Sequence, residues 1–210
     1  MFTSWAEAKT ALANTPQRVI DMAHDIVQRE GGYVDNPDDP GGATNHGISL
    51  PYARQHGLLF DFNGDGVVDA SDIQQITVEQ AVECFLMDFY KTPHFDALSE
   101  ALQPEVMDFA VNAGCSEAVK ALQQPLDRIR TARDDLARMV PVVTVDGELG
   151  PETENAARNC VKVLGESVVV NSYTTTRESY YRTIARDNPH LGIFLNGWIA
   201  RAESFREHTN

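Results

Sequence analysis

Residues 15–32 read TPQRVIDMAHDIVQREGG, and this stretch decides the fold class. Thr15-Pro16 offers an N-cap with proline at the first helical position, where its missing N–H is no loss. Val19, Ile20, Ala23, Ile26 and Val27 then recur at three- and four-residue spacing, one face of an amphipathic helix. The helix runs to Glu30 and stops at Gly31-Gly32.

Outward on the C-terminal side, residues 33–47 (YVDNPDDPGGATNHG) hold two Pro and three Gly and read as an irregular loop or a tight hairpin. A short helix follows from Pro51 to His56. Thr77-Val78-Glu79-Gln80 has the capping-box pattern and opens a helix to about Tyr90. Pro104 to Ala113 is helical, and Ser116 to Arg138 is a helix broken or kinked at Pro125. Pro141 to Val145 suggests a short strand, and Gly150-Pro151 starts another helix. Between 166 and 186 the β-branched residues favour strand locally, but Val169, Tyr173, Tyr180, Tyr181 and Ile184 follow a helix face. The last helix spans about Leu191 to Glu207. The expected class is mostly α, with the boundary near Gly114: a domain at 1–113 carrying the acidic loops, and a compact helical domain at 114–210.

The 210 residues include 17 Lys+Arg against 31 Asp+Glu, a net charge of −14, and are 42% hydrophobic. That composition supports a real core and excludes disorder. It opposes electrostatic binding of nucleic acid, which needs a basic footprint. No apolar run approaches the roughly 18–20 residues of a membrane span, so no stable membrane insertion is expected. The N-terminus has no apolar segment after a basic start, so no signal peptide is expected and synthesis is placed in a cytoplasm. Cys84, Cys115 and Cys160 are few and widely spaced, which suits reduced, buried thiols. A monomer is expected.

Two segments carry chemistry. Asp61 to Asp72 is a twelve-residue D-x-N-x-D-G-x-x-D-x-x-D, the oxygen series of an EF-hand loop: Asp61, Asn63, Asp65, the Val67 carbonyl, Asp69 and Asp72, with Gly66 at the sharp turn. A structural Ca2+ is expected there, and none for the chemistry; a solvated acidic turn is the plain alternative. The Asp at position twelve has a shorter reach than the usual Glu and resembles the dockerin-like variety. The second segment is the end of the first helix. Glu30 sits where the helix dipole disfavours negative charge, and apolar neighbours would make it a general acid. Asp39 and Thr44 lie on the following loop. One raised carboxyl, one ionised carboxylate and a hydroxyl that positions water are the parts of an inverting glycosidase.

E-G-G-Y at 30–33, D-x-P-x-D-P-G-G-A-T-N-x-G-I at 35–48 and F-A-V-N-A-G at 109–114 resemble glycoside hydrolase family 108, N-acetylmuramidases common among phage endolysins. D-G-E-L-G-P-E-T (146–153), R-x-x-Y-Y (177–181) and N-G-W-x-x-R (196–201) resemble the small helical type 3 peptidoglycan-binding domain. The resemblance covers nearly all of residues 17–207. It implies a lysozyme-like helical catalytic domain with a small loop or hairpin region, followed by the helical wall-binding domain. It implies Glu30 as the acid that cleaves the β-1,4 bond between N-acetylmuramic acid and N-acetylglucosamine, with Asp39 and Thr44 as partners and Asp38 as a rival for the Asp role. Bacterial peptidoglycan is the implied partner, reached in the periplasm by holin-type release. Tyr33 can stack on a sugar or pack; Asn45 and His46 can line the cleft or bond within the turn. Asn112 can cap a helix end or position substrate facing Glu30. Tyr181 and Trp198, with Tyr180, can form a binding platform or core, while Arg177 and Arg201 read as solvated. The rival functions are a lytic transglycosylase on the same bond and a calcium-clamped wall-binding module without activity.

Overall fold

The structure, a computed structural model, describes residues 2–35, 42–132 and 134–207. The chain is mostly α-helical and divides into two units between Thr92 and Pro93. The first holds α1 (Trp5–Leu12), α2 (Gln17–Glu30), the strands β1 (Thr44–Asn45) and β2 (Ile48–Ser49), α3 (Leu50–Gln55), α4 (Ala70–Ile73) and α5 (Val78–Leu86). The second holds α6 (Gln103–Ala113), α7 (Cys115–Ala132), α8 (Asp134–Met139), α9 (Pro151–Leu164), α10 (Glu166–Asp187) and α11 (Leu195–Glu203).

In the first unit the stripe read from the sequence is the buried one: Val19, Ala23, Ile26 and Val27 of α2 face inward and pack on α5. The capping box at α5 forms as expected, with Thr77 N–H donating to Gln80 Oε1 at 2.9 Å and Gln80 N–H to Thr77 Oγ1 at 3.2 Å. α5 ends at Leu86, and the segment the sequence assigned to the same helix continues as a wider π turn, Met87–Lys91. The sequence reading assigned no element to α1. Ser4 caps it, and Trp5 explains its anchorage: the indole packs against Phe60 and donates to the Leu59 carbonyl at 3.3 Å.

Residues 44–49 resolve the loop-or-hairpin alternative in favour of the hairpin. Thr44 pairs with Ser49 and Asn45 with Ile48. The turn residues His46 and Gly47 have φ of 53° and 81°, the double left-handed conformation of a type I′ turn. Thr44 also exchanges two backbone hydrogen bonds with Val34, each 2.8 Å.

In the second unit α7 runs unbroken through Pro125, against the expected break. The segment 166–186 is helix, because burial of Val169, Tyr173 and Tyr181 along one face outweighs the local β preference. Residues 141–145 form no strand: among the described residues the sheet consists of β1 and β2, so no partner strand exists for them. The last expected helix is a 3-10 stretch, Pro189–Phe194, followed by α11.

Residues 93–113, which the sequence reading placed in the first domain, cluster by contacts with the second unit. α6 packs on α7, and its acids join a buried charge cluster with α10. Arg177 is fully buried and bonds Asp108, whose carboxylate also takes Arg201 Nε at 2.8 and 2.9 Å. Arg177 Nε donates to Tyr181 Oη at 3.1 Å. Arg177 and Arg201 therefore hold α6, α10 and α11 together and do not lie on solvated faces. The motif at 146–153 is likewise structural: the buried Gln123 amide donates to Asp146, the Glu148 carbonyl and Thr153 Oγ1, and its oxygen accepts from Gly147 N–H.

Candidate active site

Glu30 is the last residue of α2, and Gly31, with φ of 85°, turns the chain away directly after it. The residue is exposed, so the apolar enclosure expected for its carboxyl is absent; only its stem is held. That hold comes from the hairpin turn. A methyl group placed on Gly47 would fall 2.9 Å from Cγ of Glu30 and 3.0 Å from Cζ of Phe85. Glycine is thus required twice over at position 47, for its positive φ and for this close approach. The α2 end, the turn and α5 meet at one point.

A pocket of about 250 Å3 opens beside that point, lined by Gly47, Ser49, Tyr52, Phe85, Asp88 and Phe89, among others. Phe85 and Phe89 stack with ring centroids 5.8 Å apart. The Tyr52 hydroxyl is raised well above its usual range by burial and by the nearby Cys84 and Asp88, so it stays protonated. Burial pushes the Cys84 thiol up to about 12 and Cys160 to about 11, which leaves both unreactive as nucleophiles. Asp88 brings a second carboxylate to the pocket that sequence reasoning did not select. Its only local signal was its place in the expected helix after Phe85, and the π turn that presents it was not legible. Such turns recur at functional sites.

Of the residues selected around Glu30, Thr44 lies on β1 and is half-buried. Asp39 and its rival Asp38 lie outside the described residues. Tyr33 is 37% exposed, and its hydroxyl donates to Asp35 at 3.3 Å, so it is available for stacking and not packed away. His46 is at the tip of the turn. Asn45 is corrected: it is buried and its amide donates to the carbonyls of Ile73, Gln74 and Ile76 at 3.0–3.4 Å. It pins the hairpin to the end of α4 and is not free to meet a substrate.

The acidic loop is wound around its own carboxylates. Asp61 accepts from the amides of Gly64, Asp65 and Gly66, and Asp65 from Val67. Asp72 is wholly buried, with Oδ1 accepting from Phe62 and Asn63 and Oδ2 from Asp69. The pair Asp69 and Asp72 forms a capping box on α4. The oxygen donors suit a hard cation by type, but among the described residues no three acidic, His or Cys groups converge on a metal position.

In the second unit, Tyr181 is buried and stacks on the half-buried Trp198 at 5.3 Å, so Tyr181 is core and not an open platform. Trp198 leans on Phe194, which is 50% exposed. Asn112 is exposed on α6, not buried as a substrate-positioning residue would be. Among the described residues no helix is long and apolar enough to cross a membrane.

Residues 23–114 match the family model described as Glycosyl hydrolase 108, and residues 117–203 the one described as Predicted Peptidoglycan domain. No curated protein matches the chain. A solved structure, that of Brucella abortus SagA, is similar in fold with a TM-score of 0.54 at 24% identity, covering 92% of this chain and 99% of that one.

Proposed function

Since this chain is a peptidoglycan hydrolase of muramidase type, a glycosyl hydrolase 108 domain joined to a peptidoglycan domain, we propose that Glu30 is its general acid. Glu30 protonates the glycosidic oxygen between N-acetylmuramic acid and N-acetylglucosamine. A water held by Asp39 and Thr44 attacks the anomeric carbon as oxocarbenium character develops. The observation that carries this reading is the stem of Glu30 packed close against Gly47, whose turn also lines, with Phe85, a pocket walled by stacked aromatic rings. Bound glycan would supply the enclosure that the exposed carboxyl lacks, and the aromatic faces suit the apolar faces of sugar rings. The enzyme acts on the wall as an endolysin would, after holin-type release.

The acidic loop is proposed as a structural calcium clamp on the strength of its residue series alone: Asp61, Asn63, Asp65, Val67, Asp69 and Asp72 would hold the ion. No step of the chemistry passes through it.

The test is mass spectrometry of murein digested in parallel by the natural chain and Glu30→Gln. Reducing-end N-acetylmuramic acid is expected from the natural chain, and a loss of about 10²–10⁴-fold in the variant. Digestion by Glu30→Gln at the natural rate would remove Glu30 from the role. Products ending in 1,6-anhydro sugars would make the enzyme a lytic transglycosylase.

A further inference from the structure

Helices α7 and α10 leave between them two adjoining open depressions of about 250 and 490 Å3. Ala121 and Gln124 line one; Pro125 and Arg128, on the next turn of the same helix, line the other. Arg128 Nη2 donates to Thr176 Oγ1 at 2.7 Å across the join.

Three features set this groove apart from an ordinary helix seam. The first is charge. In a chain of net charge −14, Lys120, Arg128 and Arg206 all line it. Lys120 is paired with Glu117, and Arg206 with Glu178 and Glu203. Among the described residues no carboxylate pairs with Arg128, which is exposed. The second is a wall of hydroxyls. Ser172, Thr175 and Ser179 each donate their single hydrogen to the carbonyl four residues back, at 2.7–2.9 Å. Ser172 and Ser179 keep acceptor capacity for a ligand, while Thr175 Oγ1 already accepts from Arg206 at 3.3 Å. The third is Pro125 in the middle of α7. A helix-interior proline is unfavourable by about 3 kcal/mol, and it leaves the Ala121 carbonyl without its i+4 amide at a residue lining the smaller depression. The proline thereby leaves a backbone acceptor open on the groove wall.

We propose that this groove is the surface by which the second unit holds peptidoglycan, an inference that rests on residues 117–203 being a peptidoglycan domain. The occupant is a glycan strand bearing its stem peptide. The hydroxyl and carbonyl oxygens accept N–H groups of the N-acetyl and peptide amides. Arg128 takes a stem-peptide carboxylate, a pairing that stays strong because no protein acid competes for it.

Co-sedimentation of the full chain with insoluble murein tests it, on the Glu30→Gln background so that the matrix persists. Arg128→Glu is expected to weaken binding by at least about tenfold, and Arg128→Gln, which can keep the bond to Thr176, by about threefold. Arg186→Glu, an exposed arginine outside the groove, should bind as the parent does. On murein stripped of stem peptides by an amidase, the Arg128 variants and the parent should bind alike. Unchanged binding by Arg128→Glu, or an equal loss in Arg186→Glu, would overturn the groove while leaving a peptidoglycan domain intact. Failure of the parent itself to sediment would overturn the wall-binding reading and the groove together. Thermal melts of each variant identify any loss that is only unfolding.

Discussion

The two units place their charges in opposite ways. In residues 1–92 the proposed acid, Glu30, is exposed, and its position is set by backbone: a helix end, a type I′ turn and a glycine with no room for a side chain. In residues 93–207 charges are buried and serve as structure: Glu105, Asp108 and Arg177 are each no more than 1% exposed. Ions that only hold shape can be buried, provided they are paired.

Asp108→Asn attacks the second arrangement most directly, because it leaves Arg177 and Arg201 facing each other without a full negative charge. We expect a loss of about 3–5 kcal/mol in urea unfolding of the full chain; a loss below about 1 kcal/mol would show that the cluster is not what holds α6, α10 and α11. Glu105 provides a pH test. Burial pushes its carboxyl up to about 8, opposed by Arg177 and by the bond to Thr174. Thr174 Oγ1 lies 2.9 Å from Glu105 Oε2 and 3.1 Å from the Val170 carbonyl. Its one hydrogen cannot serve both, so the support it gives the Glu105 carboxylate is shared with the Val170 carbonyl.

Between the ordinary value of 4.5 and about 8 the folded chain therefore holds a proton that the unfolded chain has lost. Stability from this group is full below 4.5, falls as pH rises, and falls no further above about 8. The fall is on the order of a few kcal/mol. Glu105→Gln should flatten the melting temperature between pH 5 and 8; an unaltered slope would assign the pH dependence elsewhere.

Gly47→Ala probes the first arrangement. Strain at positive φ and the contact with Glu30 should destabilise by about 1–3 kcal/mol and lower turnover on murein by more than that loss explains. A variant with normal turnover would mean that the turn does not position Glu30. The smallest effect is expected from calcium: EGTA should lower the melting temperature by a few degrees, and identical melts with and without calcium would argue for a plain acidic turn.

What was legible in the sequence was local. The α2 stripe ending at Glu30-Gly31-Gly32 and the capping box at Thr77 are short-range patterns, and both stand in the structure. What was missed depends on partners far along the chain. Arg177 read as a surface residue because its partner Asp108 is 69 residues away. Asn45 read as a cleft residue because the carbonyls that hold it follow 28 to 31 residues later. The packing of α6 was hidden for the same reason: its ion pairs reach α10 and α11 far along the chain, although the two family matches meet just past Gly114. Pro125 misled in the other direction, since a rule about isolated helices gave way to packing against α10.

The packing of α6 matters to anyone who would recombine such enzymes. The family match for the hydrolase ends at residue 114, so a builder of chimeras would naturally cut there. That cut would deliver to the recipient a helix carrying Glu105 and Asp108 without the arginines that neutralise them, and would leave the donor's Arg177 stranded in an apolar interior. By its contacts α6 travels with the second unit, so exchanges made ahead of Pro93 keep the buried charge cluster whole.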